Sequence, residues 1–318
     1  MLLKNLIDKY SSEVESVLAS IGIPLPEASV FFVDSGATNA QDAADGEHGN
    51  TWSRPFATLD YAVGMCTADR GDIILVAPGH AETLSGASDL DIDVSGITII
   101  GLGTGSLMPT FTLGGTDAAT TIEINGDNIT AKNLRIVGGD TDGTTVAIDI
   151  KTGSDYITLD GLVFWEPTAT MEILTCITLE DKTDQCTIKN CHFMNGATNS
   201  NQSAIITEGD EHDYMVIDNC VFMGDWEQAA IDLDAATIVY PTVKNCIIQN
   251  LDTAAGYAVT LNASTVAMLL DNRIATGKGD GYPVTGVSAS FNLETYTCEA
   301  ATNGIAVTGN ATASDFSS

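Results

Sequence analysis

Charge alternates without a break at six positions spread over half of the chain: Lys132, Asp160, Lys189, Asp218, Lys244 and Asp271. Each is followed by a small or amide residue, Asn133, Gly161, Asn190, Asn219, Asn245 and Asn272, and successive members of this second set lie 28, 29, 29, 26 and 27 residues apart. So constant a period means one structural unit stacked many times. Around each charged position runs a segment such as Ile157-Thr-Leu-Asp-Gly-Leu-Val-Phe164 or Cys186-Thr-Ile-Lys-Asn-Cys-His-Phe193, in which apolar and polar residues alternate. Period two is the mark of strands with one buried face. A further strand falls midway through each repeat, as in Ala147-Ile-Asp-Ile150 and Ala230-Ile-Asp-Leu233.

A repeat this short cannot bury its apolar face alone, but coils stacked along an axis share one core. The predicted fold is therefore all-β, a right-handed single-stranded parallel β-helix, with an N-terminal helical segment and an irregular C-terminal β tail. In-register stacking makes columns of like residues. Ile136, Phe164, Phe193, Phe222 and Ile248 form one inward ladder, and Leu134, Leu162, Cys191, Cys220 and Cys246 a second. The Asn column suits amides that hydrogen-bond up and down a turn. Alternating Lys and Asp sets opposite charges beside each other on neighbouring rungs, so the six-membered ladder is read as a device that fixes register. Exposed pairs contribute only ~0.2–1 kcal/mol each.

Residues 1–26 are expected to form an amphipathic helix, with Leu3, Ile7, Tyr10, Val14, Val17 and Ile21 spaced as an a/d seam that anchors or trimerises the chain or caps its own solenoid. Pro24 and Pro26 end it. The solenoid is expected over 27–275. After Ala275, Gly277, Gly279, Gly281 and Pro283 break the register, and 276–318 reads as a capping or trimerising tail with strands at Val284 to Phe291 and Ile305 to Val307 outside the stack.

Lys and Arg total 12 against 43 Asp and Glu, a net charge of −31, which argues against nucleic acid and anionic membranes as partners. The seven cysteines lack CxxC or Cys/His metal spacing, so buried reduced thiols are expected, and with them assembly inside a cell. Lys4, Asp8 and Lys9 interrupt any signal-peptide core, and no run of 18 apolar residues occurs.

From Val30 the chain reads Val-Phe-Phe-Val-Asp-Ser-Gly, then Pro55-Phe-Ala-Thr-Leu-Asp-Tyr-Ala62, then Gly71-Asp-Ile-Ile-Leu-Val-Ala-Pro-Gly79, with Ile97-Thr-Ile-Ile-Gly-Leu-Gly103 continuing the pattern. This resembles the opening of pectin-lyase-like right-handed β-helix proteins, over about residues 30–275. Within that superfamily the chain resembles the capsid decoration and short spike proteins of phage virions. The resemblance implies a homotrimer docked on a capsid, located in the virion after assembly in the host cytoplasm.

Chemistry is sparse. Lyases of this fold use Arg or Lys as base, and only Arg54, Arg70, Arg135 and Arg273 supply guanidinium groups, with Arg135 the default candidate. For glycoside hydrolysis the candidate carboxylates are Asp149, Glu208 and Asp232, at equivalent or neighbouring turns. His48, His80, His192 and His212 have no Ser or Cys partner at recognisable spacing. Among tryptophans, only Trp165 and Trp226 lie on the coil body, which disfavours a glycan groove. The expectation is a structural protein without catalytic residues or cofactor, with calcium on the acidic loops and a polysaccharide ligand left open as the tailspike-like alternative.

Overall fold

The computed structural model describes residues 28–87, 89–114, 120–139, 143–168, 171–196, 201–234, 237–253, 257–262, 267–277, 284–285, 291–293, 296–301 and 304–308. The expected N-terminal helix and its seam lie outside these residues.

Three long sheets run side by side as a right-handed parallel β-helix. The first has ten strands, from Val30–Val33 to Phe291–Leu293; the second has eight, from Leu90–Ile92 to Val284–Thr285; the third has ten, from Ala81–Leu84 to Gly304–Thr308. Successive strands of a sheet pair parallel, save the last two of the third sheet, where Tyr296–Ala301 meets Gly304–Thr308 antiparallel. Among the described residues the α-helix is a six-residue turn, α1 (Leu59–Gly64), whose N-cap Thr58 accepts a bond from the Tyr61 amide and whose Leu59, Ala62 and Val63 plug the leading end of the core.

The interior is built from the alternation. Phe164, Phe193 and Phe222 stack face to face, with ring centroids 4.9 and 4.6 Å apart and planes within 6° of parallel, between Ile136 and Ile248 in the same register. One rung's spacing is the ~4.8 Å between strands, so identical aromatic rings fit without any change of rotamer. Cys191, Cys220 and Cys246 lie fully buried beside them as thiols.

Two corners flank the first-sheet strands from Thr130–Lys132 to Thr242–Lys244, and both hold a left-handed residue. On the trailing corner stand Asn133, Gly161, Asn190, Asn219, Asn245 and Asp271, with φ between 53° and 71°. Asn, Asp and Gly are the residue types that tolerate this region. The Asn column is thus chosen by backbone conformation first, and its amides then bond across rungs: Asn190 Nδ2 donates to Asp160 Oδ1 at 2.6 Å and Asn219 Nδ2 to Asn190 Oδ1 at 2.8 Å. The leading corner holds Gly71, Gly96, Asn128, Tyr156, Gln185, Tyr214 and Tyr240, all at positive φ.

The structure corrects the sequence register of the last coil. Lys132, Asp160, Lys189, Asp218 and Lys244 do share one column, but its next member is Leu270, not Asp271. Asp271 occupies the left-handed corner, and Asn272 moves inside, where it donates to the Val243 carbonyl and accepts from the Cys246 amide. Burial decides the register. Leu269 and Ile274 must both point inward, and a one-residue slip would expose Leu269.

Strand pairing also runs past residue 275. Val284–Thr285, Phe291–Leu293 and Tyr296–Ala301 each extend one of the three sheets in parallel, so the coil continues past the glycines before the chain reverses.

Candidate functional site

A triangular rod offers three outer faces and the corners between them. On the first sheet the Lys and Asp column bears ion pairs of 3.7 Å (Lys132 with Asp160), 3.8 Å (Lys189 with Asp160) and 3.4 Å (Lys244 with Asp218), all partly exposed.

The second sheet carries the acids. Asp91, Glu123, Asp149, Thr178, Ile206, Asp232 and Thr260 form one outward column. Lys151 binds Asp149 at 2.9 Å and Glu180 at 2.5 Å. Although burial pushes the other way, these two bonds hold the Lys151 ammonium above its usual range. Burial raises Asp149 in turn. A lysine held so firmly protonated is a poor base, and Asp149 is committed to it.

Asp232 is different. It is 6% exposed, its Oδ1 has no hydrogen-bond partner, and burial, followed by the neighbouring Asp234 carboxylate, pushes its acid up to about 7. It lines a depression of about 440 Å³ together with Glu227, Gln228, Asp234, Tyr257 and Thr260. A carboxyl group poised near neutrality can donate a proton or a hydrogen bond. The three sequence candidates do not converge, however. Asp149 and Asp232 are three rungs apart, roughly 14 Å at the strand spacing, whereas paired glycosidase carboxylates sit ~5–9.5 Å apart. Glu208 stands exposed after the strand Asn201–Thr207, one coil before Asp232.

The third sheet is the reverse. Its two outward columns, Ala81, Thr110, Arg135, Val163, His192, Val221, Ile247, Arg273 and Thr83, Thr112, Val137, Trp165, Met194, Met223, Gln249, Ala275, contain no carboxylate over eight rungs. Trp165 is 45% exposed and Met223 47%, with Met194 and Ile247 similar. Trp226, by contrast, is buried.

Two histidines take buried structural places. His212 is buried with Nδ1 on the Thr183 hydroxyl and Nε2 on the Glu208 carbonyl, so Nε2 carries the proton and the Thr183 hydroxyl donates. His80 is likewise buried, accepting from the Ser35 amide and facing Glu82 at 3.2 Å. The Ser35 hydroxyl donates to the Ala81 carbonyl instead, so Ser35, His80 and Glu82 are not a nucleophilic triad. Among the described residues no three His, Cys, Asp or Glu side chains converge as metal ligands, and no helix is long and apolar enough to span a membrane.

Sequence reading missed one exposed stripe. Tyr156, Tyr214 and Tyr240 stand about half exposed on the leading corner, with Gln185 between the first two. Beside them Asp127, Asp155, Asp184 and Asp213 are stacked, each of the last three donating its amide to the carboxylate one rung before at 2.8–3.0 Å. The signal was present as a repeat: Asp127-Asn-Ile-Thr, Asp155-Tyr-Ile-Thr, Asp184-Gln-Cys-Thr and Asp213-Tyr-Met-Val.

Comparison with known proteins agrees on the fold. The family described as "Right handed beta helix region" matches residues 175–317. Among solved structures, a rhamnogalacturonan lyase superposes with a TM-score of 0.61 at 12% identity, over 88% of this chain and 78% of that one. Pectate lyase Pel9A gives 0.59 at 13% identity, over 92% and 80%. An alginate lyase from Paenibacillus sp. str. FPU-7 gives 0.55 at 17%, over 75% and 92%. No curated protein matches in sequence. Likeness at such low identity shows the fold alone, a right-handed parallel β-helix, and nothing of the activity.

Proposed function

We propose that this chain is a non-enzymatic structural protein of a phage-like virion: a homotrimeric β-helix decoration or spike protein docked on the capsid. The observation that carries self-association is the outer face of the third sheet, whose two outward columns bear no carboxylate over eight rungs. With a net charge of −31, most faces of two copies repel each other, and this one does not. It also exposes the apolar side chains that an assembly buries. Its two columns differ, one bearing Arg135, His192 and Arg273 and the other Trp165, Met194 and Met223. One column of one copy then meets the other column of the next, a heterologous contact that closes a ring.

Light scattering on the full chain tests this. The parent should elute at three times 33.2 kDa, and Trp165→Glu with Met223→Glu should elute at 33.2 kDa with an unchanged melting temperature. A monomeric parent at micromolar concentration overturns the trimer. Imaging of purified particles then locates the chain on the virion, and particles that lack it overturn the location.

The Asp232 pocket favours a second reading, a tailspike-like glycan-binding or glycan-cleaving protein. Release of reducing ends from a polysaccharide by the parent, lost in Asp232→Asn, would establish it in place of the first.

A further inference from the structure

The leading corner of the first sheet poses a chemical puzzle that assembly through the third sheet does not answer. The same backbone demand is met on the trailing corner by Asn, Gly and Asp, the residues suited to a left-handed φ. On the leading corner, Tyr156, Tyr214 and Tyr240 adopt φ of 60°, 57° and 55°, a region where bulky residues are outliers. None of the three is taken into the core in exchange, for each stays about half exposed. Ring positions are nonetheless ordered: Tyr214 and Tyr240 lie 5.8 Å apart at 31°, and the Gln185 amide donates to the Tyr156 hydroxyl at 3.0 Å. What these residues supply is therefore what they present outward.

Beside the rings lies a row of carboxylates. Asp155 and Asp184 each spend one oxygen on the next rung's amide, and the second oxygen of each has no partner among the described residues; the Asp213 carboxylate has none at all. Stacked one rung apart, these carboxylates repel one another. Burial raises the Asp213 acid, with Asp184 and Glu211 adding to it. Lys182 is paired with Glu211 at 3.6 Å rather than with these carboxylates. A neutral ligand would leave this repulsion in place, whereas a cationic one relieves it and finds ring faces beside it for cation–π contact.

We propose that the strip formed by Tyr156, Tyr214 and Tyr240 with Asp155, Asp184 and Asp213 is a docking site for an extended, arginine-bearing segment of a partner protein. Four rungs span roughly 14 Å, the length of about five residues of extended chain, and alternate side chains of such a segment face the same way. Its guanidinium groups stack on the rings and bond the free carboxylate oxygens.

The test uses the full chain and a labelled pentapeptide with Arg at its second and fourth positions, beside the same peptide with neutral citrulline there. Fluorescence anisotropy should show saturable binding of the Arg peptide and about tenfold weaker binding of the citrulline peptide. Tyr214→Asn with Tyr240→Asn should weaken the Arg peptide about tenfold without lowering the melting temperature, because Asn suits the corner and the protein's charge is unchanged. That second variant separates this strip from general attraction to an acidic protein. Asp184→Asn with Asp213→Asn should weaken binding and flatten its salt dependence, and here the amide oxygen still accepts the rung bond from Asp213. Equal binding of the two peptides, parent-like binding by the tyrosine variant, or displacement of the Arg peptide by a neutral oligosaccharide overturns the proposal.

Discussion

Along the third sheet eight rungs present no carboxylate outward, whereas along the second Asp91, Glu123, Asp149 and Asp232 stand in one outward column. Both sheets pack on the same interior, and their inward columns are mostly apolar, with Glu82 at the start of one on the third sheet. The contrast shows that a solenoid sets the chemistry of each outer face separately, because stacking constrains only the columns that point in. A net charge of −31 is thus not spread as an even solvating coat. One face is stripped of it.

That comparison assumes one shared core, and the hardest blow to it is Phe193→Ala, which empties the middle of the three-ring stack and should cost about 3–5 kcal/mol in denaturant unfolding. A loss below ~1 kcal/mol would mean that the two faces do not lean on a common interior.

On the second sheet, Asp232 should make stability respond to pH. Asp232 has its folded acid raised from 3.8 to about 7, so the folded state holds a proton that the unfolded state releases between those values. Stability is full below the unfolded value and falls as pH rises towards 7, by about 2–4 kcal/mol. Asp232→Asn should flatten that slope, while Met223→Glu on the third sheet should leave it intact. Parallel pH profiles for parent and Asp232→Asn would remove the distinction between the faces.

At the corners the expected effects are smaller. Asn219→Ala, which puts a Cβ-bearing residue without local hydrogen bonds in the left-handed region, should cost about 1 kcal/mol. Tyr214→Asn should cost nothing, or gain a few tenths. The first sheet should be the least sensitive: Lys189→Ala should change stability by less than ~1 kcal/mol, an effect that fades in 1 M salt.

Interior columns were legible in the sequence because alternation reports burial directly, and the Phe and Cys ladders needed no more than a period and a parity. The last coil was misaligned by one residue because Asp271-Asn272 copies the appearance of Asp218-Asn219, while only the inward demand of Leu269 and Ile274 shows where the pair belongs. The tyrosine stripe escaped notice for another reason. A left-handed corner has no hydropathy signature, and Tyr156 and Tyr214 stand just before the alternating segments that begin at Ile157 and Met215, where only their φ marks them. Likewise the clearing of charge from the third sheet is invisible along the chain, since Trp165, Met194 and Met223 lie 29 residues apart and meet only in register.

The reversal at Gly304–Thr308 bears on how such a rod avoids becoming a fibre. Parallel rungs end in an open edge whose unpaired amides and carbonyls would accept the leading strand of another copy, and repetition of that step is how cross-β filaments grow. By turning back antiparallel on Tyr296–Ala301, the chain gives the third sheet a terminal strand of opposite polarity. An incoming Ala81–Leu84 would there meet a strand of opposite polarity, so on this sheet the parallel stack does not carry over from one molecule to the next.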